Sequence, residues 1–199
     1  MRRVSDTTTH DSPRTQDAIL HAFTFRKGML ARLGHDLRLT LQRFTIELDA
    51  GRVSARFDLD SWRVDGAMHD GTLSSTTPNA TDKREIEATI ARDIFDTRTQ
   101  PEATFEGTLS RTRPGLAHAS GMLRLRAACK PIAFDVYFSE RARSVFEIAP
   151  SQWGIAPYKA LGGALKLEDR VKIEVDLTTA VPGVDLTSWQ AARCTWQRT

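Results

Sequence analysis

Strict alternation of apolar and polar side chains constrains this chain more than any other feature. "VKIEVDL" sets Val171, Ile173, Val175 and Leu177 against Lys172, Glu174 and Asp176. "VSARFDLD" does the same with Val53, Ala55, Phe57 and Leu59, and "IAFDVYF" places Ile132, Phe134, Val136 and Phe138 on one side. In "GMLRLRA", Leu123 and Leu125 oppose Arg124 and Arg126, and residues 18–26, 103–111 and 144–150 read as further strands. Such a period of two belongs to strands with one apolar and one wet face, the pattern of antiparallel sheets.

Between 35 and 49 the phase changes. Leu37, Leu39 and Leu41 are odd-numbered, whereas Phe44, Ile46 and Leu48 are even. All six stay on one face only with a bulge near Gln42–Arg43, where the strand can bend sharply. "DAG" at 49–51 then predicts a tight hairpin. One segment has another period: Ile86, Ile90 and Ile94 recur every four residues, which predicts a helix. Asp82 and Glu85 have capping-box spacing at its start, and Pro101 closes the region. About eight half-buried strands and one amphipathic helix predict an eight-stranded antiparallel lipocalin-like barrel. Its interior is either filled or large enough for one small ligand.

The 199 residues suit one domain with a full core. We assign 1–16 as a flexible leader, 17–180 as the folded domain and 181–199 as a C-terminal tail, because alternation is lost after "VPG" (181–183). The +3 net charge comes from 28 basic and 25 acidic residues spread along the chain. That excludes the clustered basic footprint of a nucleic-acid binder. No apolar h-region follows the two leading arginines, Met1 reads as an intact start, and no stretch has the length of a transmembrane segment. Cys129 and Cys194 read as free thiols, so the expectation is a cytoplasmic protein.

Motifs of chemistry are weak. His35–Asp36 and His69–Asp70 form two "HD" dipeptides without the further ligands of a metal site. No Walker loop, dinucleotide fingerprint or G-x-S-x-G elbow occurs, so no cofactor is implied and the chain is not read as an enzyme. Lys130 beside Cys129 could lower a thiol pKa, but a structural cysteine at a strand turn is the plainer reading. Arg26, Lys27 and Arg32 read either as a solvated turn or as a polar rim for an anionic or quinone head group.

"WGIAPYKALGGALKLED" (153–169) is too apolar for an ordinary surface connection. With "HDLRLTLQRFTIEL", "KREIEATIARDIFDTRTQPEATFEG" and "GMLRLRAACKPIAFDV", it follows the order and spacing of YceI-like proteins, which the chain resembles from about 18 to 180. The resemblance implies a lipocalin-like barrel with an apolar tunnel for a polyisoprenoid or similar lipid, and no catalytic residues. Relatives usually carry a glycine where this chain reads "RAACK", so Ala127 or Ala128 is expected to turn without it. Many relatives are exported, which makes the periplasm the alternative compartment.

Under this reading the inward-facing residues are Phe23, Phe25, Leu37, Leu39, Phe57, Phe105, Leu123, Leu125, Phe134, Val136 and Val175. Trp153, Ile155, Leu161 and Leu165 line the opening, and His35, Tyr158 and Lys159 contact the head group. The alternatives are a solidly packed barrel that binds a protein partner, a homodimer in its simplest version, and a hydrolase or isomerase using His35 and Asp36.

Overall fold

A computed structural model describes residues 15–16, 18–27, 35–160, 162, 165–178 and 193–198. The strands are β1 (Thr15–Gln16), β2 (Ala18–Lys27), β3 (Asp36–Leu41), β4 (Phe44–Asp49), β5 (Arg52–Asp58), β6 (Trp62–His69) and β7 (Thr72–Ser74). After helix α1 (Ala80–Thr89) come β8 (Glu102–Arg113), β9 (Leu116–Leu125), β10 (Ala128–Phe138), β11 (Arg141–Ile148), β12 (Lys159–Ala160), β13 (Leu165–Thr178) and β14 (Arg193–Arg198). All belong to one 14-stranded sheet of order β1-β14-β4-β5-β8-β9-β10-β11-β13-β2-β3-β6-β7, with β12 on β13. Every pairing is antiparallel except β1 with β14.

The expected eight-stranded closed barrel is corrected: the sheet is open. Among the described residues its order ends at β1 on one side and β7 on the other, and these edges do not pair. The reason lies at Gln42–Arg43. There the chain leaves one ladder and enters another, so β3 pairs with β2 and β6, and β4 with β14 and β5. Neither strand keeps a free edge for the other. The predicted phase change is therefore a break between two strands. A register shift does occur in β3, at Arg38/Leu39, where Asp65 of β6 is the unpaired extra residue.

The open sheet is nevertheless strongly rolled. Eight ladder steps separate β4 from β3, about 38 Å if laid flat at roughly 4.8 Å per step. Yet Leu41 and Phe44 are three peptides apart, about 11 Å at full stretch. The sheet must curl until the two strands meet. Hydrogen bonds lock the crossing: Gln42 N–H donates to Ser61 C=O (3.1 Å), and Asp58 N–H donates to Arg43 C=O (3.1 Å). Across the roll, the Trp196 indole N–H donates to Thr178 C=O (2.9 Å). Trp196 belongs to the 181–199 stretch assigned as a tail; within it, 193–198 form β14, paired to β4, and Trp196 is buried.

Turns follow the sequence chemistry. The "DAG" hairpin has two residues, Ala50 (φ 49°) and Gly51 (φ 82°), with Asp49 opposite Arg52. That is the doubly left-handed turn which suits strand twist. In "RAACK", Leu125 pairs with Ala128 and the left-handed residue is Arg126 (φ 52°), rather than Ala127 or Ala128.

Helix α1 starts one turn earlier than the capping-box spacing predicts. The Asn79 side chain caps it, accepting from Thr81 N–H (2.9 Å) and Asp82 N–H (3.0 Å). After Thr89 the chain widens into a π-helical turn (Ile90–Phe95) that ends at left-handed Asp96. Lys83 ties α1 to the sheet by donating to Asp65 C=O and Ser75 C=O (both 2.7 Å). Glu87 accepts the β6 amide of Val64 (2.8 Å).

Candidate functional site: an apolar cavity inside the rolled sheet

Alternation puts the apolar faces of the strands on the inside of the roll, and they do not fill it. A cavity of about 970 Å³ remains. Packed interiors contain few voids larger than a water molecule, so this volume is not a packing defect. Leu20, Leu39, Ile46, Val53, Ala55, Leu109, Ile132, Ile173 and Val175 are among its walls. An aromatic run crosses one wall: Phe134 stacks on Phe146 (4.2 Å between centroids, 8° between planes) and lies 5.9 Å from Phe105. Phe105 is held back from the hollow by two glycines. A Cβ on Gly107 or on Gly121 would come within 2.7 Å of its Cζ, so the bare backbone lets the ring lie close to the sheet.

The helix contributes its isoleucine stripe to the same space. Ile86, Ile90 and Ile94 line the cavity, and no residue of α1 or of the π-helical turn is fully buried. An apolar helix face normally packs into a core; here it faces the hollow. Residues 150–158 also face it, through Pro150, Ile155, Ala156, Pro157 and Tyr158. They are pinned in place: the Trp153 indole donates to Leu123 C=O (3.0 Å), Ser151 N–H donates to the Asp169 carboxylate (3.0 Å), and the Ser151 hydroxyl bonds the same carboxylate.

Of the residues named from the sequence, the cavity is lined by His35, Leu37, Leu39, Phe57, Phe105, Leu123, Leu125, Phe134, Val136, Ile155, Tyr158, Leu165 and Val175. Four others lie elsewhere. Phe23 and Phe25 sit on the opposite face of β2, under Lys172 (4.0 Å from the ring centroid) and Arg170 (4.1 Å) respectively. The even-numbered Leu20, Ala22 and Thr24 point inward instead. Both faces of β2 are apolar, and the cationic stems of β13 cover the phenylalanine side. Trp153 is buried in a side cluster with Leu59, Ala103, Leu125 and Ile155. Lys159 pairs with Lys166 in the β12–β13 ladder and is exposed. Leu161 lies outside the described residues, as does Arg32.

Polar atoms on the wall are few. His35, just before β3, has its ring 5.8 Å from that of His69 in an edge-on arrangement. Burial, then the neighbouring His69 and Arg26, hold the His35 imidazole below its ordinary pKa, against an opposing pull from Asp36. Among the described residues its Nδ1 is buried with no hydrogen-bond partner, and so is the Thr24 hydroxyl. Sequence reading missed Thr24, since an orphaned hydroxyl is visible only once its neighbours are known. A third orphan, the Trp62 indole N–H, stands at the other end of β3, opposite Leu41. Charged residues of the lining comprise Asp82, Glu85, Glu168 and Asp169 against Lys166 and Arg170, but the Arg170 guanidinium lies over Phe25 on the outer face, paired with Glu147 (3.1 Å) and Glu168 (3.0 Å).

On the outer face, Thr40 donates to Asp65 (2.7 Å), Arg38 pairs with the same oxygen (2.8 Å), and His21 Nδ1 lies 2.8 Å from the Thr40 hydroxyl. This cluster braces the β3–β6 register shift. Among the described residues no group of three or more His, Cys, Asp or Glu could hold a metal ion. No helix among them is long and apolar enough to cross a membrane.

Rolled open sheet, apolar hollow and one covering helix together define an antiparallel cavity protein, a fold suited to holding an elongated apolar guest. The chain belongs to the YceI-like family, whose domain matches residues 21–179. Its fold is similar to that of BcnA from Burkholderia cenocepacia (14% identity, 80% of this chain and 94% of the other, TM-score 0.57). It is also similar to a polyisoprenoid binding domain from Saccharophagus degradans implicated in plant cell wall breakdown (13% identity, 83% and 94%, TM-score 0.54). At these identities the likeness is one of fold. No curated protein matches the sequence.

Proposed function

We propose that this protein carries a long-chain polyisoprenoid or a similar amphiphilic lipid, held non-covalently in the cavity of the rolled sheet. The observation that carries the proposal is a hollow of about 970 Å³ walled by inward apolar faces, with a half-covered helix stripe along it. At roughly 30 Å³ for a water-sized group, it has room for about thirty heavy atoms. Water there would meet few polar partners, whereas each CH₂ of a guest gains about 0.8 kcal/mol on leaving water. Several isoprene units therefore offset the cost of ordering a flexible chain. Family membership and the description of the Saccharophagus degradans relative as polyisoprenoid-binding support the same reading.

Phe134, Phe146, Leu39 and Val175 would contact the chain, and Tyr158 and Leu165 would lie along it near the 150–158 segment. No bond is made or broken in this function; binding and release are the whole of it. The test is native mass spectrometry of freshly purified protein followed by organic extraction. A co-purifying isoprenoid or acyl-type mass is expected. Repeated absence, together with failure to take up added prenyl lipids, would overturn the proposal.

A further inference from the structure

Three lysines stand side by side on one face of the sheet. Lys159 of β12 lies directly opposite Lys166 of β13, and Lys166 lies directly opposite Lys27 of β2. Opposed residues share a face, so all three side chains leave the sheet on the same side, and all three are exposed. Two ladder steps, about 10 Å, separate Lys159 from Lys27. Like charges at opposed positions destabilise a sheet. The carboxylates nearby do not relieve them. Asp36 faces Arg26 (3.7 Å), Glu147 and Glu168 hold Arg170 (3.1 and 3.0 Å), Glu174 holds Lys172 (2.7 Å), and Asp169 accepts from Ser151 N–H (3.0 Å). Among the described residues no carboxylate pairs with Lys27, Lys159 or Lys166. The sequence between Lys27 and His35, and that between Ala160 and Leu165, contains no aspartate or glutamate.

We infer that this row is a docking surface for an anionic lipid bilayer. The inference rests on the proposed lipid binding and adds the partner with which the guest is exchanged. The row stands at the rim of the hollow. Tyr158, next to Lys159, lines the cavity, and so do Leu165 and Leu167, which flank Lys166. Tyr158 is also 39% exposed, and tyrosine is a residue of membrane–water interfaces. A bilayer held by the lysines therefore meets the protein beside the space that takes the chain.

The form of the row suits a charged plane better than a single ion. One phosphate is held by donors that converge on it, from an arginine fork or a nest of backbone amides. Here three ammonium groups rise in a line from three separate strands, each on a flexible stem. Such point charges match a surface of many anionic lipids. Each lysine close to that surface strengthens binding about fivefold. The repulsion within the row is then offset at the membrane.

The test is sedimentation of the full chain with vesicles of phosphatidylcholine alone and of phosphatidylcholine mixed with phosphatidylglycerol, alongside thermal unfolding. The wild-type protein should bind the anionic vesicles and not the neutral ones, and added salt should weaken the binding. Lys166→Gln should weaken it about fivefold, and the triple variant Lys27→Gln, Lys159→Gln, Lys166→Gln roughly a hundredfold, whereas Lys166→Arg should retain it. Each change to glutamine removes like-charge repulsion, so the variants should unfold at the wild-type temperature or above it. Lost binding then does not reflect lost folding. Equal binding to both vesicles, binding to neither, or anionic binding that survives in the triple variant overturns the inference while lipid carriage stands. Equal retention on a DNA duplex at the same salt also overturns it and makes the row a nucleic-acid contact. Vesicle docking by a protein that takes up no prenyl lipid overturns the lipid proposal and leaves the docking surface standing.

Discussion

Val136→Phe separates a hollow from a solid core by the sign of its effect on stability. Val136 lines the cavity from β10, with small Ala117 as its ladder partner on β9. Phenylalanine brings four more carbons, directed at empty space. In a filled interior, such overpacking typically costs 1–3 kcal/mol. In a cavity of about 970 Å³, the added carbons take apolar area from water and from the opposing wall without forcing neighbours off their rotamers. At about 0.8 kcal/mol per carbon the ceiling is roughly 3 kcal/mol. The ring stays partly uncovered in so large a space, so about 1–2 kcal/mol is the expected gain for delipidated protein. For a chain of this size that raises Tm by roughly 2–8 °C. The same ring takes space from the guest, so lipid affinity should fall as stability rises. Thermal unfolding of delipidated wild-type and variant protein, with chain-lipid uptake measured alongside, reads both. A variant less stable by 1 kcal/mol or more, with lipid uptake unaltered, would refute the reasoning, since Val136 would then sit in a filled core away from any guest.

Four other outcomes follow from local geometry. Arg126→Gly should stabilise by about 1 kcal/mol in denaturant titration, because Arg126 occupies the left-handed region at φ 52°. Lys83→Met, which removes two bonds from α1 to the sheet, should cost about 1–2 kcal/mol and speed amide exchange in α1 more than in β9. Gly121→Ala should lower stability and cavity volume together, since its Cβ meets Glu106 C=O at 2.3 Å and the Phe105 ring at 2.7 Å; tighter lipid binding by that variant would contradict the placement of Phe105. His21 titrates below its ordinary value, first through burial and then through Arg38. The unfolded chain therefore takes up its proton first, and stability should fall as pH drops from about 6.5 toward the lowered folded value. His21→Gln should flatten that slope in unfolding measured between pH 7 and pH 5.

Alternation made most of the strands legible, because a half-buried strand has to write its two faces into every second residue. "VKIEVDL" and "IAFDVYF" lie in the observed sheet with the expected faces toward the hollow, whereas "VSARFDLD" is strand only as far as Asp58 and turns into a short 3-10 helix (Leu59–Ser61), with Leu59 still on the cavity wall. The isoleucine stripe located the helix, but not its cap at Asn79 or its change to a π-helical turn, which depend on side-chain hydrogen bonds and on the sheet below. Closure was not legible. Periodicity says which face is apolar and nothing about which strand takes the free edge of another, and at Gln42–Arg43 that choice keeps the sheet open. Where both faces are apolar, as in β2, parity had no signal; Lys172 and Arg170, far away in sequence, decide that Phe23 and Phe25 face outward. "RCTWQR" (193–198) alternates too briefly to stand out, and its place depends on the free edge of β4. His35, named from the sequence both as half of an "HD" dipeptide and as a head-group contact, lines the cavity beside His69.

The most direct measurement is methyl NMR of the delipidated protein titrated with an isotopically distinguishable polyprenol. Intermolecular NOEs should connect the chain to Leu39, Ile46, Val53 and Val175, which line the hollow, and leave the exposed Met122 and Val145 untouched. NOEs confined to Met122, Val145 and the outer face of the sheet, with the interior methyls unmoved, would contradict a guest inside the roll.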